Sequence, residues 1–220
     1  MSTPSSIVID AALADTETPV AAAVEEQLAE CLAAASDHPW RVESRLRDGI
    51  AAIDPAGGAS VAIASLLPEL ARTGEPIAGT QARWKTHLDA LARRGIPAVV
   101  CTIFRHVAPS QDGNRDAAAA TIERIRRLDL VAAELSHDTG ASVADVDRVL
   151  AHLGARQLAS DHRLGGPLAA EVAAWTIVAA LLDGPLDAVV DPDVLQRAQA
   201  FQGRLWEIDR FANRRMRRAR

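Results

Sequence analysis

The polar side chains able to do chemistry cluster behind short apolar runs. Asp10 follows Ile7-Val8-Ile9, and Ser65 follows Val61-Ala62-Ile63-Ala64; Thr102, Arg105 and His106 close a run that includes Cys101; Asp145 and Asp147 come next, then Ser160-Asp161-His162. A nucleophilic hydrolase needs a hydroxyl, a histidine within reach to take its proton, a carboxylate to orient that histidine, and donors for the oxyanion. His162 is the best base in the set, because imidazole titrates near neutral pH and this one stands beside Gly165-Gly166 at a predicted helix start. Ser65 is a hydroxyl behind a buried strand, and His106 is a second imidazole. Each has a plainer reading beside the chemical one: Asp10 as the cap of a turn, Asp161 as the cap of the following helix, Arg105 in a structural ion pair.

Other chemistries lack their signatures. Gly57-Gly58 does not have the spacing of a phosphate loop or a dinucleotide fingerprint. Cys31 and Cys101 sit in apolar segments without a CxxC or Cys/His pattern, so they read as small buried hydrophobes. No cofactor and no metal are expected.

The elements that must position these residues follow from periodicity. Ile7-Val8-Ile9 reads as a strand stopped by Asp10, and Pro19 opens a helix with Val20, Val24, Leu28 and Leu32 on one face. Trp40 to Ser44 alternates as a strand, and Val61 to Ala64 is a second fully buried one. A helix over about Gly79 to Arg94 closes at Gly95, and Ile96 to Phe104 is the strongest strand signal. Asn114 caps a long helix ending at Gly140, Ser142 to Val146 forms a short strand, and helices over Asp147 to Leu153, from Pro167 and from Pro192 complete the chain. Short buried strands alternating with amphipathic helices predict an α/β fold: a three-layer α/β/α sandwich, flavodoxin-like, with a parallel sheet and ligands beyond the carboxyl ends of its strands.

Over residues 6 to 183 the pattern resembles the SGNH, or GDSL-like, hydrolase family. Ile7-Val8-Ile9-Asp10-Ala11 is similar to the family's first block, with Ala11 where the family has its nucleophilic serine. Arg47-Asp48-Gly49 resembles the second block, which implies a backbone N–H donor at Gly49. Ser65-Leu66-Leu67-Pro68 stands where the family has the asparagine of its oxyanion hole. Ser160-Asp161-His162, leading through Gly165-Gly166 into a helix, resembles the fourth, except that Asp161 directly precedes His162 instead of lying three residues before it. The resemblance implies an esterase or acyl hydrolase with His162, Asp10 and Asp161 as catalytic residues and Gly49, Ser65 and His106 at the oxyanion or substrate. The missing serine leaves open a non-catalytic binding or scaffold protein on the same fold.

A chain of 220 residues, 49% of them hydrophobic, can bury one core, and its net charge of −5 gives no general attraction to nucleic acid or anionic lipid. Residues 1–190 are expected to form the α/β domain and 191–220 a C-terminal amphipathic helix with an arginine-rich end, Arg210 to Arg220. That end reads either as a solvated tail or as a contact for a second copy or an acidic protein partner. No signal-peptide pattern follows Met1 and no apolar run reaches the roughly 18 residues of a membrane span, so a cytoplasmic location is expected, with a small ester or acylated molecule as partner.

Overall fold

The computed structural model of the chain describes residues 5–105, 115–153 and 167–204. Five runs of aliphatic residues form one sheet: β1 (Ser5–Ala12), β2 (Trp40–Leu46), β3 (Val61–Ser65), β4 (Ala98–Cys101) and β5 (Ser142–Ala144). Their order is β2-β1-β3-β4-β5, and every pair is parallel. The helices are α1 (Thr18–Ala35), α2 (Ile77–Arg93), α3 (Arg115–Thr139), α4 (Val146–Leu153), α5 (Pro167–Leu182) and α6 (192–204). From β1 the chain steps outward to β2 and then crosses back to β3, so the connections diverge between β1 and β3. That divergence opens a crevice at the carboxyl ends of the two strands, as the flavodoxin-like arrangement requires.

Alternation along each strand divides the core into two layers. Ile7, Ile9, Ala11, Val61, Ile63, Val99 and Cys101 pack under α1, α5 and α6. Ala12, Ala62, Ala64, Ala98 and Val100 face α2 and α3. The second face is mostly alanine, which lets Trp84, Leu88 and Leu128 come close to the sheet. Burying a large apolar side chain of this kind contributes about 1.5–3 kcal/mol. Helix α6 adds Val194, Leu195 and Ala198 to the first layer, and its Arg197 Nε donates to the Ala35 carbonyl at 2.8 Å.

Three details depart from the sequence-based expectation. The first strand does not stop at Asp10 but runs to Ala12. Asp10 stays in the ladder because Arg45 lies directly opposite it on β2 and, together with Arg47, neutralises its carboxylate. The strand expected over Ile96 to Phe104 is confined to Ala98–Cys101. Pro97 has no N–H to give, and beyond the strand the Ile103 and Arg105 N–H groups turn to the carboxylates of Asp129 and Asp147. Finally, the strand expected over Ser142 to Val146 ends at Ala144, because Val146 already begins α4; the crossover from β2 to β3, with turn chemistry as expected, holds a 3-10 turn, Ile50–Ala52.

His106, Asp161 and His162 lie outside the described residues, as does the arginine-rich end. No helix among the described residues is long and apolar enough to cross a membrane.

Candidate active site

The crevice is built from the exits of β1 and β3. Past Ala12 the chain makes a 3-10 turn, Asp15–Glu17, that leads directly into α1, where Pro19 suits the first helical turn. Asp15 and Thr16 are exposed on this turn, whereas Glu17 folds inward and is buried. Its Oε2 accepts the Ala14 N–H at 2.9 Å and its Oε1 accepts the Ser65 hydroxyl at 2.9 Å. Ser65 Oγ in turn accepts the Leu67 N–H at 3.1 Å. Burial pushes the Glu17 carboxyl above its ordinary range, partly opposed by the bonds from Ala14 and Ser65. The neighbouring Cys101 thiol is pushed well up by burial and by the Glu17 charge, so it is no nucleophile.

A second group of carboxylates gathers at the ends of β4 and β5. Asp147 accepts the Arg105 N–H at 2.8 Å and its Nε at 2.7 Å. Thr102 Oγ1 accepts the Asp147 N–H at 3.0 Å and faces Asp145 Oδ1 at 3.3 Å. Asp129, reaching over from α3, accepts the Ile103 N–H at 2.7 Å. Burial pushes Asp129 up to about 7; the charges of Asp147 and Asp145 add to the rise, against the Ile103 bond and Arg105. A carboxyl so placed can give or take a proton at neutral pH. Among the described residues no three acidic, histidine or cysteine side chains are grouped to hold a metal ion.

The residues read from sequence divide sharply. Ser65 stands at the carboxyl end of β3 as expected, but its side chain is buried and its hydroxyl is already committed to Glu17. Asp10 is wholly buried inside β1; Arg45 Nε reaches its Oδ1 at 2.8 Å and Arg47 Nη2 reaches the same oxygen at 2.8 Å. Ala11 likewise lies within the strand and in the core, so the position compared with the family's serine is not at the strand's end. Gly49 has a φ of 77°, and its N–H goes to the Arg47 carbonyl at 3.0 Å. Thr16, Glu17 and Asp129 were missed. A polar loop ahead of Pro19 marks a helix start, yet nothing in it tells which carboxylate turns inward.

A groove of about 320 Å³ lies elsewhere, at the amino ends of β4 and β5, lined by Gly95, Ile96, Gly140, Ala141, Pro185 and Asp187 among others. Asp187 is its single ionisable side chain, so the groove carries no acid–base pair and is not where we place the chemistry.

No protein-family model matches the chain, and no curated protein matches it in sequence. Among solved structures it is similar to a Slackia heliotrinireducens protein that carries the SGNH hydrolase name, at TM-score 0.50 and 16% identity, over 81% of this chain and 100% of that one. It is also similar to LAE5, an alpha/beta hydrolase enzyme from the metagenome of Lake Arreo, Spain, at TM-score 0.50 and 15% identity, over 82% of this chain and 96% of that one. At such identities the likeness speaks for the fold: the chain has a hydrolase-like α/β fold, a five-stranded parallel sheet between helical layers.

Proposed function

We propose that the chain belongs with the SGNH-like hydrolases and cleaves a small ester or acyl group in the crevice beyond β1 and β3, with Thr16 as the attacking hydroxyl. The observation that carries this reading is the exposed Thr16 on the 3-10 turn that directly follows β1, at the point where the connections of the sheet diverge. In the proposed step the Thr16 Oγ1 attacks the carbonyl carbon and its proton passes to His162, which then protonates the leaving alcohol. Water, deprotonated by the same histidine, releases the acid and restores the hydroxyl. Asp161 and His106 are assigned to the same edge from sequence alone. Gly49, with its N–H already donated, and Asp10, with its charge neutralised, have no part in the step.

A second reading, a binding protein without catalysis, is favoured by one observation: the Ser65 hydroxyl is bonded to Glu17 and to the Leu67 N–H, and the Asp10 carboxylate is paired through Oδ1 with Arg45 and Arg47, both inside the fold. One experiment separates the two. A short-chain activated ester and a fluorophosphonate probe are offered to the native protein and to Thr16→Val, Ser65→Ala and His162→Ala. Turnover and labelling that vanish in the Thr16 and His162 variants and persist in Ser65→Ala support the hydrolase; a folded native protein that neither turns over nor labels sinks it.

A further inference from the structure

We propose that Glu17 is the positioning residue of this crevice: its carboxyl clasps the exit of β1, through the Ala14 N–H, to the exit of β3, through the Ser65 hydroxyl, and so fixes where Thr16 stands. The inference rests on the reading of this crevice as the working site.

The two oxygens of Glu17 serve different segments. One holds the residue that begins the turn, at 2.9 Å, and the other holds a side chain 48 residues further on, also at 2.9 Å. Thr16 lies between the two residues so held, Ala14 and Glu17 itself, and has little freedom to move without breaking one bond. The clasp is also directional. Because Ser65 Oγ already receives the Leu67 N–H, the one hydroxyl hydrogen is turned to Glu17.

The other buried carboxylates among the described residues show what is unusual here. Asp10 is met by Arg45 and Arg47, Glu69 by Arg83 and Arg72, and Asp147 by Arg105. Glu17 has no cationic partner among the described residues; the titratable side chain its charge reaches is Cys101 on β4. A buried carboxylate held by neutral donors alone is costly for stability and is a common feature of functional sites. It also gives the clasp two states. Ionised, Glu17 accepts from both Ala14 and Ser65. Protonated on Oε1, it donates to Ser65 Oγ instead, and the Ser65 hydrogen is released from it.

The test is an amide titration of the full-length ¹⁵N-labelled protein. In the native chain the Ala14 and Thr16 amide resonances move together with pH, with a midpoint above the ordinary glutamate range; in Glu17→Gln that common transition is absent, and only the movement due to the exposed Asp15 carboxyl between them is left. In Glu17→Ala the Ala14 amide, which Glu17 accepts, exchanges at least about tenfold faster while the Val100 amide is unchanged, and Glu17→Gln restores slow exchange because its amide can still hold both partners. Native amides that stay still, or that titrate at the ordinary value, overturn the proposal, as does unchanged exchange in Glu17→Ala. If the alanine variant does not fold, the native and glutamine titrations decide. Ester assays that are silent while these amides titrate overturn the hydrolase reading alone; turnover with still amides overturns the clasp alone.

Discussion

Asp10 on β1 stands directly opposite Arg45 on β2, and the Arg45 Nε lies 2.8 Å from its Oδ1. With Arg47 on the same oxygen, this pairing turns a carboxylate expected at a strand end into part of the sheet. Asp10→Ala is therefore expected to act on stability. Breaking a wholly buried pair costs about 3–5 kcal/mol, and because both arginines reach solvent the loss should be nearer 2–3 kcal/mol, read by chemical denaturation. A variant that keeps native stability but loses turnover would return Asp10 to the active site.

Glu17 makes a pH-dependent contribution of known sign. A carboxyl whose folded value lies above its ordinary 4.5 keeps its proton more tightly in the folded chain. Its contribution is thus fully present below that value and is lost as pH rises through the raised one. Thermal midpoints measured between acid and neutral pH should fall with pH more steeply for the native chain than for Glu17→Gln. At neutral pH the glutamine variant should be at least as stable as the native chain; a marked loss there would show that the ionised carboxylate is needed.

Asp129 provides a second, separable case. Its rise from 3.8 to about 7 means that stability declines over that interval. Asp129→Asn, which can still accept the Ile103 N–H, should flatten the profile by on the order of 4 kcal/mol between its two ends. An unaltered profile would show that Asp129 titrates in the folded chain as it does in the unfolded one, as an ordinary surface carboxylate does.

Gly49→Ala tests whether that residue matters for its N–H or for its backbone. A Cβ built there meets nothing within 4 Å, so the expected cost, about 1 kcal/mol, comes from a φ of 77° alone. Turnover should be unaffected. A loss of kcat without a loss of stability would point to a substrate contact at this turn.

Much of the fold could be read from the chain because its signals are local. Ile7-Val8-Ile9 and Val61 to Ala64 read as buried strands and are strands, and Gly95 and Gly140, both with left-handed φ, mark the ends of α2 and α3 as expected. The limits of β1 were not local: Asp10 looks like a stop until the arginines contributed by the end of β2 are in place. The site was harder for the same reason. Thr16 follows a strand end that had been put two residues too early, and Glu17 is defined by Ser65, which reaches it from another strand. The inward turn of Asp129 from the middle of α3 depends on where β4 ends, a position that its own helical periodicity does not encode.

The helix-free crossover between β2 and β3 has a consequence for how the molecule comes apart. On the face toward α2 and α3, β1 is closed at Asp10 by salt-bridged side chains and by a loop whose Gly57 carbonyl takes Arg45 Nη1, where its neighbours have a helix. β2 is also one of the two edge strands, with β5 at the other side, and its Leu46 is 51% exposed. Detaching the strand with its loop leaves the apolar cover of β1, β3 and β4 largely in place, but it takes Arg45 and Arg47 away from the buried Asp10. Opening at this corner is therefore governed by that ion pair, and because it lies on the far side of β1 from the β3 exit, the crevice is insulated from the loss of this edge of the sheet.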